Sequence, residues 1–460
     1  MHEHARTRAI SFVHYMHVYE YNIHATVTTM LMPWKTDVIR KRLREFTEAE
    51  IKTYKSLDLR IVAACRPELR VDQVSNTFAN YADARVHLTE ADVIGRILPC
   101  INELISGAAR TFRDVNVVPL PLHETASHSY TRLQVATCIA HMFLNAFDYD
   151  YMTPYSGNNN AIENYPTPSL VGMFKGANAF ALACVLAYFD YVAANKDDPA
   201  WCKQRIIYRR YTQSRTSFAQ AADAASVDEV MISDGEFDDA QSNLHIVAGN
   251  SVIGGKLFER SCTQEEAIML ARPEMLMMLL ICPNPSPDGG CINVCIGAEK
   301  INEYGGIGAS LHYVGKCEEG LNIVSTPAGY CIAQIAHAFV VPCRANSVDQ
   351  QFIKLFSEDL YRLAVGFASV PLMRADDSVS IGNYAYEFSS CPHGLRVTQA
   401  VLAAAIAGRV VAYCTHDADL IGDIRLFADW ASGRKVTDII VIYMREISNE
   451  WRRDGAEMTT

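Results

Sequence analysis

Two adjacent glutamates behind a glycine pair are the residues of this 460-residue chain best suited to chemistry. The window reads Gly249-Asn250-Ser-Val-Ile-Gly254-Gly255-Lys256, then seven residues, then Gln264-Glu265-Glu266. A strand-like run, Leu244-His-Ile-Val-Ala, leads in, and a short helical run, Glu265–Ala271, leads out. Glycines let a backbone come close to a ligand, and a helix start presents N–H groups to phosphate. Two neighbouring carboxyls offer one acid and one group to orient a substrate.

A structural reading stands beside the chemical one. Thr263-Gln-Glu-Glu266 has the spacing of a capping box, with Thr263 as N-cap and Glu266 three positions on. Both glutamates also suit the positive end of a helix dipole. The two readings differ in proton affinity. A capping glutamate has a lowered pKa, whereas a general acid near neutral pH needs a raised one, through burial or a nearby negative group.

Other candidate chemistry is weaker. The 14 cysteines are scattered singly, without a Cys-x-x-Cys pair, and Cys291 and Cys295 lack other ligand types nearby. Reduced thiols of a cytosolic or nuclear protein are the simplest reading. Cys391 and His393 lie close, but their loop offers no clear orienting acid for a Cys–His hydrolase. His2, His4, His14, His17 and His24 fall in a terminal stretch read as a tail or edge element, with no secretion-signal pattern. No metal and no cofactor is expected. The net charge of -11 argues against a basic nucleic-acid surface, though local donors can still hold a phosphorylated ligand. No apolar run is long and clean enough for a membrane span.

The elements that must position the window divide the chain. Residues 1–35 read as a tail and 36–200 as a helical accessory region. Within it, 36–106, Tyr130–Phe147 and Ala177–Ala194 show helical patterns, broken by Val118-Pro-Leu-Pro-Leu122 and by a loop over 150–168. From 201 to 460, β-type runs (Arg205-Ile-Ile-Tyr, Leu244–Ala248, Cys291–Ile296, Arg409–Cys414) alternate with helical patterns at Glu265–Ala271, Ser347–Val365 and Leu395–Ala407. Gly408 ends the last of these. That alternation predicts an α/β layer architecture.

The window resembles the signature of the poly(ADP-ribose) glycohydrolase family, which has three glycines, six to eight residues, then Gln-Glu-Glu. The similarity continues upstream in Leu120-Pro-Leu, His128-Ser129, Thr131-x-x-Gln134-Val135, and Asn164-Tyr-Pro followed by Leu170-Val-Gly-Met-Phe. Downstream it takes in Arg272-Pro273-Glu274-Met-Leu, Gly297-Ala-Glu299 to Gly306, Ile381-Gly382-Asn383-Tyr384, Ala404–Gly408 and Asp423-Ile424. The match runs from about residue 40 to 446.

The resemblance implies a macrodomain-like mixed sheet flanked by helices, and hydrolysis of the ribose–ribose O-glycosidic bonds of poly(ADP-ribose), releasing ADP-ribose without a metal. By carry-over, Glu266 protonates the departing ribose oxygen and then activates water, and Glu265 holds ribose hydroxyls. Asn250, Gly254, Gly255 and Gln264 line the pocket, Asn383 begins the diphosphate loop and Glu236 reads adenine. Ile307 and His416 stand where the family places a tyrosine and a phenylalanine about the adenine. The implied partners are the polymer, ADP-ribose and ADP-ribosylated proteins in nucleus or cytoplasm, with neither direct DNA binding nor a membrane. Three departures point to an alternative, a non-catalytic ADP-ribose-binding or structural relative: Lys256 replaces the third glycine, both adenine aromatics are lost, and Ala385–His393 replaces a second glycine-rich loop.

Overall fold

The computed structural model describes residues 32–65, 88–147, 164–175, 179–235, 238, 242–259, 262–286, 289–306, 308–317, 323–325, 331–343, 351–370, 378–382 and 393–443. The N-terminal histidines, Glu236, Ile307, Asn383 and Cys391 lie outside these residues, as does the side chain of His393.

Twelve described strands follow in chain order: β1 Ala126–Thr131, β2 Arg205–Thr212, β3 Val230–Ser233, β4 Leu244–Ala248, β5 Cys291–Ile296, β6 Asn302–Gly305, β7 His312–Lys316, β8 Ile323–Ser325, β9 Cys331–Ala333, β10 Ala336–Val340, β11 Ser378–Ile381 and β12 Val410–Cys414. Eight form one mixed sheet in the order β1-β2-β5-β10-β4-β11-β12-β3, while β6/β7 and β8/β9 are separate pairs. From β10 to β3 the neighbours run parallel; β1, β2 and β5 extend the sheet antiparallel. The principal helices are α1 Asp37–Thr47, α2 Tyr54–Ala64, α3 Leu98–Thr111, α4 Arg132–Phe143, α5 Ala179–Asn195, α6 Arg215–Ala224, α7 Gln264–Ala271, α8 Gln351–Ala368, α9 His393–Ile406 and α10 Ala418–Ala431.

Helices cover both faces. Val247, Phe339, Cys295 and Tyr208 face the layer built from α1 to α5 and α7. Ile246, Ala248, Val340, Ile381 and Val411 face α8, α9 and α10. This is why every residue of β4, β5 and β10 is buried and why, His245, Asn293 and His337 apart, these runs are apolar without alternation. Apolar all round, α5 is correspondingly buried over most of its length.

The stretch expected as helix from Tyr130 instead begins with a strand. Residues 126–131 pair with β2 at the edge of the sheet, and α4 starts only after Thr131. Thr131 caps that helix: its N–H donates to Gln134 Oε1 at 2.9 Å, and its hydroxyl accepts the Gln134 N–H at 3.2 Å. Gly408, in the left-handed region at φ +66°, ends α9 as expected.

A buried ion pair joins α4 to the segment that follows α7. Arg132 Nη1 donates to both oxygens of Glu274, at 2.5 and 2.6 Å, with both residues almost fully buried. Glu274 Oε2 also accepts the Glu299 N–H at 3.1 Å, and Glu299 Oε2 accepts the Tyr191 hydroxyl at 2.6 Å. Removing one charge leaves the other buried without its counter-ion, at a cost of about 3–5 kcal/mol. Arg132→Leu should therefore lower the unfolding free energy in urea by that amount, and a loss under about 1 kcal/mol would contradict the pair's role.

Candidate active site

The glutamate pair sits beyond the C-terminal end of β4, where neighbouring parallel strands diverge in chain order and open α/β sheets hold their ligands. The chain leaves β4 with Gly249, whose N–H donates to Val340 O at 2.8 Å, makes the turn through Gly254–Lys256 and enters α7 at Gln264. Gly254 has φ +63°, and a Cβ there would fall 2.9 Å from Leu279 Cδ2, so glycine is required twice over.

The turn is held from behind by the helical region. Ile253 N–H donates to Asn284 Oδ1 at 3.2 Å, and Asn284 N–H to Asn164 O at 2.6 Å. Tyr165 donates its hydroxyl to Leu120 O at 2.6 Å. Gly172 seats the ring of Phe258, and a Cβ at Gly172 would lie 2.4 Å from that ring. The upstream motifs around Leu120, Asn164 and Gly172 thus converge on the back of one loop.

The two glutamates face different donors. Glu265 takes the Gly254 N–H on Oε1 at 2.7 Å and the Asn250 N–H on Oε2. Glu266 Oε1 takes Asn250 Nδ2 at 2.7 Å and the Lys256 N–H at 3.0 Å. Its Oε2 takes the Thr263 N–H at 2.9 Å and the Thr263 hydroxyl. Four donors fill the acceptor capacity of a carboxylate. Glu266, expected to be the acid facing the sugar, is instead fully buried and bonded to its own helix's N-cap. The capping reading therefore describes Glu266.

Glu265 uses two acceptor positions of about four, leaving lone pairs for a proton. It is 1% exposed. Burial first, then the adjacent Glu266, pushes its carboxyl up to about 8, against the pull of the Gly254 and Asn250 N–H groups. The raised proton affinity that a general acid needs thus belongs to the first glutamate of the pair.

Of the other expected residues, Asn250 is buried between the two carboxyls, its backbone on Glu265 and its amide on Glu266. Gln264 ties off the strand, with Oε1 accepting the Ala248 N–H at 2.9 Å. The turn amides expected to face phosphate are used internally: Gly254 on Glu265, Gly255 on Val252 O at 3.0 Å, and Lys256 on Glu266. His416 stands exposed just past the end of β12, its Nδ1 3.0 Å from Asp234 Oδ1, and makes no hydrogen bond to either glutamate.

The sequence reading missed a buried polar cluster at the other end of β4 and α7. Arg272, the C-cap of α7, donates to Asp238 Oδ2 at 2.8 Å. His337 Nε2 lies 3.3 Å from Asp238 Oδ1, and the Ser380 hydroxyl 2.6 Å from His245 Nδ1. Donor atoms of Asp238, His245 and His337 lie within 4.8 Å of one another. They do not fit a metal. The imidazoles are stacked at 4.9 Å and 15°, and face-to-face rings share no in-plane point about 2 Å from a nitrogen of each. Arg272 already supplies a cation to the carboxylate. Burial, then Arg272, pushes His337 down to about 3, so it packs neutral. The cluster pins the far end of α7 to the sheet. Its residues are spread from 238 to 380, with no spacing that could have announced it.

Residues 217–421 match the family model described as Poly (ADP-ribose) glycohydrolase (PARG), Macro domain fold. This part of the chain is similar to the macrodomain of the poly(ADP-ribose) glycohydrolase family. The match covers less than half of the chain but includes every strand from β3 to β12 and both glutamates. The sheet with helices on both faces is the macrodomain fold that the family description names. No curated protein matches the chain.

A titration tests the placement of the raised carboxyl. An unfolded glutamate ionises near 4.5, while folded Glu265 holds its proton to about 8. Between those values the native state binds more protons than the unfolded state, so stability falls as pH rises. The full effect is on the order of 3–5 kcal/mol. Urea unfolding at intervals from pH 5 to 8.5 should show this decline in the wild type and its loss in Glu265→Gln. The slope is the readout, because glutamine cannot accept both N–H donors. An unchanged slope in the variant would place the proton elsewhere.

Proposed function

We propose that this protein is a glycoside hydrolase of the poly(ADP-ribose) glycohydrolase kind, cleaving ribose–ribose bonds of ADP-ribose polymer at the Glu265–Glu266 pair. The observation that carries the reading is a pair of adjacent buried carboxyls beyond the C-terminal end of β4, one holding two donors and the other four, with burial and the neighbouring carboxyl raising the proton affinity of Glu265. Glycosidic cleavage passes through an oxocarbenium-like state and needs a proton at the leaving oxygen. Environments that separate two carboxyls in proton affinity supply it.

In this reading the donor role falls to Glu265 rather than to Glu266. Glu265 has the spare valence for a proton and a sugar oxygen; Glu266, saturated by Thr263, Asn250 and Lys256, supplies the neighbouring charge and fixes the turn.

A second reading, an ADP-ribose-binding relative without turnover, is favoured by one specific observation. Both carboxyls are almost fully buried and the turn's own amides are internally satisfied, so the site as described is closed to a sugar.

Incubation with labelled polymer and quantification of free ADP-ribose separates the two. The hydrolase reading predicts turnover by the wild type and a loss of at least about a hundredfold in Glu265→Gln, with circular dichroism showing that variant folded at the assay temperature. Absence of turnover with retained ADP-ribose binding by calorimetry would establish the second reading instead.

A further inference from the structure

Glycines let a turn approach an anion closely, yet the amides of this turn are occupied by Glu265, Val252 O and Glu266. Asn250 and Thr263, which flank it, likewise spend their N–H groups on the two glutamates. An anionic substrate arriving here therefore meets no backbone nest. One cation does belong to the turn. The backbone of Lys256 lies against Glu266, its N–H 3.0 Å from Oε1, and its side chain is only half-buried. Lys196, Lys300 and Lys316 each meet a carboxylate within 3.3 Å, whereas Lys256 forms no ion pair among the described residues. The carboxylates of Glu265 and Glu266 are held by backbone, amide and hydroxyl donors.

We propose that the Lys256 ammonium meets the diphosphate of the substrate, replacing the backbone amides of the glycine turn as the phosphate-binding group. The assignment rests on the ADP-ribose reading of the site and names its specificity residue. A compact ammonium on a flexible stem binds phosphate as a point charge, without the fixed geometry of an amide nest. The residue that departs from the signature is then a substitution of one phosphate donor for another.

Calorimetric titration of the full chain with ADP-ribose tests this. Lys256→Met and Lys256→Gly should each weaken binding by about tenfold or more, with melting temperatures unchanged because the backbone N–H on Glu266 remains. Lys256→Arg should keep most of the affinity. Wild-type affinity should also fall more steeply with salt than that of Lys256→Met. Equal or tighter binding by Lys256→Gly would overturn the proposal and make the side chain an obstruction. Wild-type protein that takes up no ADP-ribose would overturn the site reading, and this assignment with it.

Discussion

Everything at the site depends on one clamp, in which the chain leaving β4 and the chain entering α7 are held together through two carboxylates. Asn250 and Gly254 close on Glu265, while Asn250, Lys256 and Thr263 close on Glu266. Burying two adjacent carboxyls is costly unless donors compensate, and a second negative charge in the same space resists ionisation of the first. The clamp divides the donors unequally, four to two. That inequality lets one glutamate serve as a structural cap while its neighbour keeps a proton.

The clamp is itself supported at both ends. At the front, the loop from Ile253 to Phe258 rests on Asn284, Asn164 and Gly172 of the helical side. At the back, α7 is tied down by Arg272 on Asp238, within the cluster that includes the stacked His245 and His337. The Arg132–Glu274 pair then locks the helical layer onto the segment that follows α7. A rigid frame of this kind is what permits a carboxyl to stay protonated without the site filling with water.

Much of the fold was legible in sequence, for physical reasons. Leu244–Ala248, Cys291–Ile296 and the run ending at Cys414 are continuous apolar stretches of strand length, and Gly408 marks a helix end through its left-handed backbone. The strand Ala126–Thr131 was not legible, because an edge strand of mostly half-buried polar residues carries no apolar signal. β11, at four residues, is too short to stand out from buried helix. At the site, the glutamate pair and Asn250 were legible as a set, and so was the capping box. Which reading applied to which glutamate was not, since it depends on where Asn250, Gly254 and Lys256 place their donors after the turn folds back. The Asp238, His245 and His337 cluster was invisible for the same reason: only the sheet order brings it together.

The departures from the family signature acquire a physical sense in this frame. Lys256 keeps the backbone contact to Glu266 that any residue could make there, and adds a charge. The direct test of the whole account is where the proton resides. Carbon-13 NMR of the glutamate carboxyls, assigned with Glu265→Gln, should show Glu265 protonated at pH 7 and titrating near 8. A Glu265 signal already fully ionised at pH 6 would contradict it.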